Sequence, residues 1–476
     1  MAPRRGHAEA MSEQLRKLVG SKRDHPPWKE IKFRCSFHNT IYDVLKSRGF
    51  RETENELDWD LFWCDKEWIH EAFDHIHLQA HQRVNHFRNH YELTRKDLLV
   101  KNIRRAHRQA LKDGLMEEAQ GFAACSPTTF VLPLEYSMFV EEFKKQQANG
   151  TIWIMKPVGK SQGRGIFLFD RLSQVSSWRQ DPKWMRLQKE GEQKPRNKKD
   201  GDEDEEEKKE AEPYVVQRYL SDPLLIGGKK FDLRLYVLVT SYSPLTVYLY
   251  RSGFARFSHA RFSMDLADLS DAMIHLTNVA VQKHNENYDE KRGGKWDLRA
   301  LKLHLMMTEN VGKVNQLFND MQDVIRFSLL SVQKVMIQDK HCFELYGYDI
   351  MISKDLKPWL IEVNASPSLS ANTVSDYEMK FALLDDVLTV LDFEKYLDGT
   401  EEQIGGFDVL YRNGARVGPA PTAAYSTHLG CRNNRAEQLR RLALQLSREE
   451  GRKRTAILQP PPSAVSGKRR GREKPS

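Results

Sequence analysis

From Thr151 to Leu369 short apolar runs alternate with polar turns, and the polar residues set inside those runs carry most of the chemical information. Phe343 to Leu369 reads as two apolar strands joined by a polar turn, Ser353 to Lys357. Asp349 interrupts the first strand; Glu362 and Asn364 interrupt the second. Residues i and i+2 of a strand share a face, so Glu362 and Asn364 project together. A buried carboxylate without a partner or a metal is costly. Two carboxylates and an amide oxygen, with no His or Cys within the segment, suit a hard cation. Mg2+ is the natural candidate, because phosphate oxygens and water complete its shell. A salt-bridged hairpin is the plainer alternative.

Thr151 to Asp170 shows a second strand–turn–strand pattern. Lys156 lies inside its first apolar strand, where an unpaired ammonium is strongly disfavoured. The connecting loop holds Gly159, Gly163 and Gly165 with Lys160 and Arg164. Glycines let the backbone approach an anion, and N–H groups with cations cradle phosphates; an ordinary hairpin turn uses the same residues. No GKS or GKT opens a helix, so the loop is not a Walker A loop. HRD and DFG are both absent, which excludes a protein kinase by motif. Tyr214 to Leu220 is a short strand whose end can offer backbone groups to a flat base. Lys230 to Val239 puts Asp232 and Arg234 on one strand face, either paired with each other or facing a charged ligand.

Helical periodicity is expected in Lys66 to Gln79 and in Asp97 to Gly114. Pro133 to Gln146 predicts an amphipathic helix with Leu134, Met138, Phe139 and Phe143 on one face and Pro133 in its first turn. Trp59, Phe62, Trp63, Trp68 and Phe73 are expected in the core. His77/His81 and His86/His90 have the i,i+4 spacing that zinc sites use. No Cys or HExxH completes a set, so solvated helix positions or partner contacts are expected instead. Lys189 to Glu212 has no apolar pattern and reads as a solvated charged insert; its Glu run also suggests a self-substrate. Gly405 to Ser476 turns Pro/Gly-rich and then basic, which predicts disorder. Within it Arg435 to Arg454 has leucines at helical spacing, a docking helix or a solubilising tail. Lys468 to Lys474 is nuclear-localisation-like.

Composition narrows the classes. A chain of 476 residues with 40% hydrophobic residues exceeds one typical core and predicts two or three subdomains. A net charge of +8 favours an anionic partner. Five scattered cysteines without a CxxC argue for a reducing compartment. No apolar run reaches membrane-spanning length, and the basic N-terminus lacks a secretory h-region.

The segments follow one another as a phosphate-covering hairpin, a hinge strand, a charged strand and a metal hairpin. Their wording is WIMKP with SQGRGIFLF, VVQRYL, KFDLRLYVLV, ARF (Ala255 to Phe257), HLTN (His275 to Asn278), GYD and IEVNASPSL. It resembles the tubulin tyrosine ligase-like family of ATP-grasp ligases. DWDLFW (Asp58 to Trp63) and NHFRNHYELTRKDLLVKN (Asn85 to Asn102) resemble that family's N-terminal region, so the likeness covers about Phe33 to Leu397. Within the family the chain looks most like the polyglutamylases.

The resemblance implies an α/β (α+β) ATP-grasp fold, with the nucleotide held between two α/β subdomains, an N-terminal α/β domain and a disordered basic tail. The expected divisions are a mobile basic N-terminus at 1–30 and an N-terminal domain at 31–132. A central subdomain at 133–225 carries the acidic insert 189–212; a C-terminal subdomain at 226–397 carries the metal site; the tail is 398–476. By the same resemblance Lys156 binds the nucleotide phosphates, and Gln162 and Gly163 lie in the covering loop. Gln217, Arg218, Tyr219 and Leu220 form the adenine hinge. Lys230, Phe231 and Asp232 finish the pocket, and Thr277 and Asn278 contact the nucleotide. Asp349, Glu362 and Asn364 match magnesium ligands. Arg256, expected just after a strand ending near Arg251, matches with Lys295 and Lys380 the positions that receive glutamate carboxylates. Arg234 is expected to stabilise the transferring phosphate or the tetrahedral intermediate. Two positions depart from the pattern. Gly294 precedes Lys295 where relatives often have Ser or Cys, and Ala123 to Pro127 (AACSP) replaces an Asp-Phe-Phe-Pro-like entry.

The implied reaction uses ATP and Mg2+. An acceptor carboxylate attacks the γ-phosphate, and an amine then attacks the acyl phosphate; no base for that amine is assigned. The implied product is glutamate joined to side-chain carboxylates of glutamates in acidic tubulin tails. Ligation of glycine or tyrosine is an alternative, as is a weakly active microtubule- or cilium-binding protein. The expected partners are tubulin or microtubules, free L-glutamate and an accessory protein at the basic tail, with no nucleic acid and no membrane. Cytoplasm, cytoskeleton, cilium or flagellum and basal body are the expected locations by resemblance.

Overall fold

The alternating apolar runs fold into three sheets. A computed structural model describes residues 30–160, 162–179, 213–282, 294–371, 373–395, 397–417 and 427–433. The segment before residue 30, the acidic insert 189–212, the expected helix Arg435 to Arg454 and Lys468 to Lys474 lie outside the described residues. The first sheet is parallel, in the order β2-β1-β3-β4: β1 (Lys32–Cys35), β2 (Arg51–Glu52), β3 (Leu61–Trp63) and β4 (Arg83–Val84). The second is antiparallel, in the order β5-β8-β6-β7: β5 (Thr129–Leu132), β6 (Trp153–Pro157), β7 (Phe167–Phe169) and β8 (Tyr214–Arg218).

The third sheet has nine strands. Its short members are β9 (Leu225–Ile226), β12 (Lys295–Asp297), β15 (Gln403–Ile404) and β17 (Ala415–Arg416). Its long members are β10 (Lys229–Tyr242), β11 (Leu245–Phe257), β13 (Glu344–Ile352), β14 (Pro358–Asn364) and β16 (Phe407–Arg412). The main path is β14-β13-β10-β11-β16-β15.

β10 and β13 are buried on both faces, which explains their near-continuous apolar runs. Leu233, Leu235, Val237 and Val239 enter one core with residues of α3 (Lys96–Lys112), α4 (Met116–Ala124), α7 (Leu298–Thr308) and α8 (Val311–Gln333). Gly121 lets α4 lie against α8, because a Cβ there would fall 2.0 Å from Phe327 Cζ. Tyr236 and Leu238 enter a second core with α1 (Thr40–Ser47) and α9 (Val374–Leu391). Burying each large side chain contributes about 1.5–3 kcal/mol, so both faces of one sheet are tied to helices. The second sheet packs on α5 (Tyr136–Gln147) and α6 (Leu172–Arg179) through Phe139, Phe143, Trp153, Phe169 and Val175. Side-chain caps fix the helix starts. Asn310 accepts from Lys313 N at 3.2 Å to open α8, and Thr373 accepts from Asp376 N at 3.2 Å to open α9.

Several expectations change. β5 pairs with β8, so the central sheet begins at Thr129 rather than at residue 133. Phe139 and Phe143 are buried as expected, but Leu134 is 66% and Met138 58% exposed, leaving the helix a narrower apolar stripe. The helix expected over Lys66 to Gln79 stops at Glu71, the end of α2 (Lys66–Glu71); a 3-10 turn follows, in which Phe73 packs edge-on to Trp68 at 6.2 Å. The tail is not disordered from residue 398: β15, β16 and β17 extend the large sheet, with Phe407, Val409 and Tyr411 buried. The aromatics Trp59, Phe62 and Phe73 enter the first core, against which Trp68 packs, and Trp63 enters the second. His86 and His90 are not solvated helix residues. Both are buried, and Glu344 accepts from Phe87 N and Tyr346 OH at 3.1 Å and faces His86 Nδ1 at 2.9 Å. No helix among the described residues is long and apolar enough to cross a membrane.

Candidate active site

Strand register sets charged residues in rungs across the large sheet. Glu362 of β14 faces Asp349 of β13, Asp349 faces Arg234 of β10, and Arg234 faces Phe254 of β11. Two residues along β10, Asp232 faces Arg256, which faces Lys295 of β12. Two residues the other way, Tyr236 faces Gly347, which faces Asn364. The i+2 spacing puts these rungs on one face. Arg256 therefore lies within β11, not after a strand ending near Arg251.

Asp232 and Arg234 do not pair with each other. Arg234 Nε donates to Asp349 Oδ1 at 2.6 Å and its Nη2 to Oδ2 at 3.1 Å. Arg256 Nη2 lies 2.8 Å from Asp349 Oδ2, while its Nε donates to Asp232 Oδ1 at 2.9 Å. Burial opposes ionisation of Asp349, but the two guanidiniums outweigh it and hold the carboxyl well below the usual range. Burial likewise opposes the charge on Arg256, and Asp232 and Asp349 restore it.

A cleft opens between this face and the second sheet. It is lined by Lys156, Lys160, Gln162, Gly163, Gln217, Arg218, Tyr219, Leu220, Lys230, Asp232, Thr277, Asn278, Asp349 and Glu362. Ile154, Ile166, Leu276, Met351 and Ile361 give it an apolar wall. Lys156 Nζ donates to Gln217 Oε1 at 2.7 Å, and Gln217 Nε2 donates to Thr129 Oγ1 at 2.9 Å. Lys230 Nζ donates to Tyr219 OH and to His275 O, each at 2.8 Å. Burial pushes Lys156 down to about 8 and Lys230 down to about 7. Gln162 and Gly163 adopt φ of 62° and 77°, and a Cβ on Gly163 would meet Val281 Cγ2 at 2.8 Å. Left-handed backbone and close packing thus account for this glycine.

The other end of the site holds the remaining basic residues. Lys295 Nζ and Lys380 Nζ each lie 3.1 Å from Asp376 Oδ2, at the N-terminal turn of α9. Lys380 Nζ also donates to Ser370 O at 2.6 Å. Burial opposes the charge on Asp376, and Lys380 and Lys295 more than compensate, lowering its pKa.

Most predicted residues therefore meet, with one exception. The Phe231 side chain points away into the core, against Phe257 at a ring distance of 5.2 Å. Arg234, Arg256 and Asn364 contact the lining residues Asp349 or Asp232 without lining the cleft, and Lys295 and Lys380 meet Asp376 beyond it. Lys96 was missed: from α3 its Nζ comes within 3.4 Å of Glu362 Oε2 and donates to Lys160 O at 3.5 Å. Its only signal was a position inside the family-like word at Asn85 to Asn102. His275 was also missed as a lining residue; its ring nitrogen Nδ1 lies 2.9 Å from Tyr219 OH. At Gly294 an added Cβ would meet only Phe257 O, at 3.9 Å, so the departure there leaves room for a side chain. Cys125, within the second departure, is fully packed.

The sequence matches the Tubulin-tyrosine ligase family over residues 75–398. The chain belongs to this family. It is 47% identical over 444 residues to the "Probable tubulin polyglutamylase TTLL9" of Bos taurus, covering 89% of this chain and 94% of that protein. The "Probable tubulin polyglutamylase ttll-9" of Caenorhabditis elegans is 47% identical over 390 residues, with coverages of 82% and 87%. The "Probable alpha-tubulin polyglutamylase Ttll1" of Tetrahymena thermophila is 40% identical over 408 residues, with coverages of 80% and 93%. The mixed α/β architecture, with a cleft between two sheets, is the ATP-grasp arrangement expected of the family.

Asp349, Glu362 and Asn364 fit a magnesium ion by donor chemistry. A carboxylate has about four lone-pair sites, and the arginines take three on Asp349. Glu362 opens to the cleft; Asn364 turns its Nδ2 towards Asp349 Oδ2 at 3.5 Å, and its amide oxygen is the atom that suits a cation.

Proposed function

We propose that the chain is an ATP- and Mg2+-dependent ligase that joins glutamate to side-chain carboxylates of glutamates in acidic tubulin tails. The observation that carries this reading is the junction of two differently charged halves at Asp349. Neutral-partnered lysines suited to a triphosphate lie on one side; a lysine pair suited to a carboxylate lies on the other. The names of the relatives support tubulin polyglutamylation in particular.

Lys156, Lys230 and Lys96 would hold the phosphates, with the Gln162–Gly163 backbone closing over them. The apolar wall and the end of β8 would hold the base. Asp349, Glu362 and Asn364 would hold the magnesium ion, which neutralises charge on the transferring phosphoryl group when bound. The acceptor carboxylate attacks the γ-phosphate, the bond to the bridging oxygen breaks, and an acyl phosphate and ADP result. Arg234, anchored through Nε and Nη2, keeps Nη1 for the transferring group or the oxyanion. Lys295 and Lys380 would take the carboxylates of the incoming glutamate, with Nη1 of Arg256 beside them. Their shared Asp376 suits its ammonium. Once the ammonium has lost a proton to water, the amine attacks the acyl carbon, and phosphate leaves as the amide forms. Cytoskeletal placement follows from such a substrate, with cilia and basal bodies the structures to inspect by imaging.

The test is ATP-dependent incorporation of labelled glutamate into tubulin, with labelled glycine as control. Glu362→Gln is expected to reduce incorporation on the order of 10³-fold, the scale of losing a charge-stabilising group, with little change in melting temperature. Equal incorporation by both proteins removes the metal role; preferred incorporation of glycine replaces the substrate reading.

A further inference from the structure

One buried polar group has no part in the scheme above. Tyr236 follows Arg234 by two residues in β10 and shares its face. Its side chain is 0% exposed, and its hydroxyl has no hydrogen-bond partner among the described residues. A phenol buried in this way loses its water and gains nothing in return. Phenylalanine would fill the same space without that cost. A hydroxyl retained there calls for an explanation outside the fold.

The backbone places it in the site. β10 and β11 lose register between Leu235 and Val237, so Tyr236 has no directly opposed residue on β11. Irregularities of this kind re-aim side chains beside active sites. On its other side Tyr236 faces Gly347, where a Cβ would meet Pro367 Cβ at 2.9 Å and Arg234 Cδ at 3.2 Å. The Tyr236 ring lies edge-on to Phe254 at 6.5 Å, and the Lys295 ammonium sits 4.7 Å from the centre of that same ring. Burial dominates the titration of the phenol and raises its pKa; the charges that act on it are Arg234, Asp376, Arg256 and Asp349. Its ring thus stands between the Arg234–Asp349 rung and the Phe254 ring that the Lys295 ammonium overlies.

We propose that Tyr236 is a substrate-binding residue whose hydroxyl donates a hydrogen bond to a carboxylate oxygen of the incoming glutamate held by Lys295 and Lys380. This rests on the ligase reading above. A donor suits this place because the lysines and Asp376 already match charge, and a neutral O–H adds direction without adding charge. The hydroxyl is fully buried, so the amino acid reaches it only when neighbouring side chains move aside.

Tyr236→Phe tests the assignment in the full chain with ATP, Mg2+ and tubulin. KM for glutamate is expected to rise about tenfold, the loss of one hydrogen bond to a charged group. KM for ATP and kcat should stay within about twofold, and the melting temperature should hold or rise because an unsatisfied buried hydroxyl is gone. An unchanged KM for glutamate overturns the proposal, as does a rise in KM for glutamate matched by an equal rise for ATP. The ligase reading fails separately, when the wild-type chain incorporates no glutamate. A second readout needs no turnover. Glutamate added with a non-hydrolysable ATP analogue should raise the melting temperature of the wild type and raise that of Tyr236→Phe less; equal shifts overturn the proposal.

Discussion

The cleft and the basic region beside it carry positive charge in opposite ways. At the nucleotide end, Lys156 and Lys230 are buried and hydrogen-bond to neutral acceptors, Gln217 Oε1, Tyr219 OH and His275 O. At the proposed amino-acid end, Arg256, Lys295 and Lys380 are matched to Asp232, Asp349 and Asp376. Burial lowers the pKa of Lys156 and Lys230, and the nearby Glu362 and Asp232 offset only part of it, so an arriving anion is favoured. A matched cation is stable as it stands and holds its neighbours in register. The first arrangement favours capture of a highly charged ligand. The second favours geometric selection of a small one. Substitutions at the two ends should therefore change stability with opposite sign.

Arg256→Met should give the largest effect. It strands Asp232 beside an apolar side chain and removes one of the two guanidiniums on Asp349. Breaking a buried pair by deleting one partner costs about 3–5 kcal/mol. Chemical denaturation should show that loss, and glutamate incorporation should disappear with it. Stability equal to the wild type would mean that Asp232 is not buried as a charge, and the contrast between the two ends would fail.

Lys156→Met should do the reverse to the fold. The buried ammonium disappears, while Gln217 keeps its bond to Thr129 and borders the open cleft. The melting temperature should hold or rise. Affinity for ATP should fall about a hundredfold, a loss of some 2.7 kcal/mol for a charge-assisted contact to phosphate. A clear fall in melting temperature would place Lys156 among the structural cations.

These contrasts were only half legible in the sequence. The residues on each strand could be read, because a polar side chain inside an apolar run stands out and i+2 spacing fixes its face. Asp349, Glu362 and Asn364 came out this way, as did Asp232 with Arg234. Their partners could not be read. Whether Arg234 meets Asp232 or Asp349 depends on which strand lies beside β10, and local periodicity holds no such register. Lys96 was hidden for the same reason: it reaches Glu362 across a long loop of chain. β16 was overlooked because Gly and Pro nearby suggested disorder, although Phe407, Val409 and Tyr411 alternate as a half-buried strand does. Leu134 shows the converse error. An apolar residue at helical spacing was assigned to a buried face and is in fact exposed. The family resemblance supplied expected roles that no pattern of residues could have given, those of Lys295 and Lys380 above all.

The smallest expected effect is on pH dependence, and it separates the two ends without any substitution. In the folded chain without nucleotide, Lys230 titrates near 7 and Lys156 near 8, against an ordinary lysine value of 10.5. The folded state therefore binds fewer protons than the unfolded state between those values. Stability of the free chain should rise with pH from about 7 towards 10.5 on this account. A triphosphate favours the charged lysines and raises their pKa, so binding takes up protons. Affinity for ATP should then fall as pH climbs through 7 to 9, by at most about tenfold per pH unit for each lysine. His275 beside Lys230 does not reverse the trend, because burial lowers its pKa and keeps it neutral across this range. The lowered pKa of Asp376 keeps its carboxylate charged throughout the same range, so it adds no slope to the pH profile of KM for glutamate. The check is the ATP-induced rise in melting temperature at pH 6.5, 7.5 and 8.5, set beside KM for glutamate at the same values. The rise should shrink step by step while KM for glutamate changes less. A rise that grows with pH would mean that the two lysines are already charged before the nucleotide arrives, and that the nucleotide end is as well matched as the other.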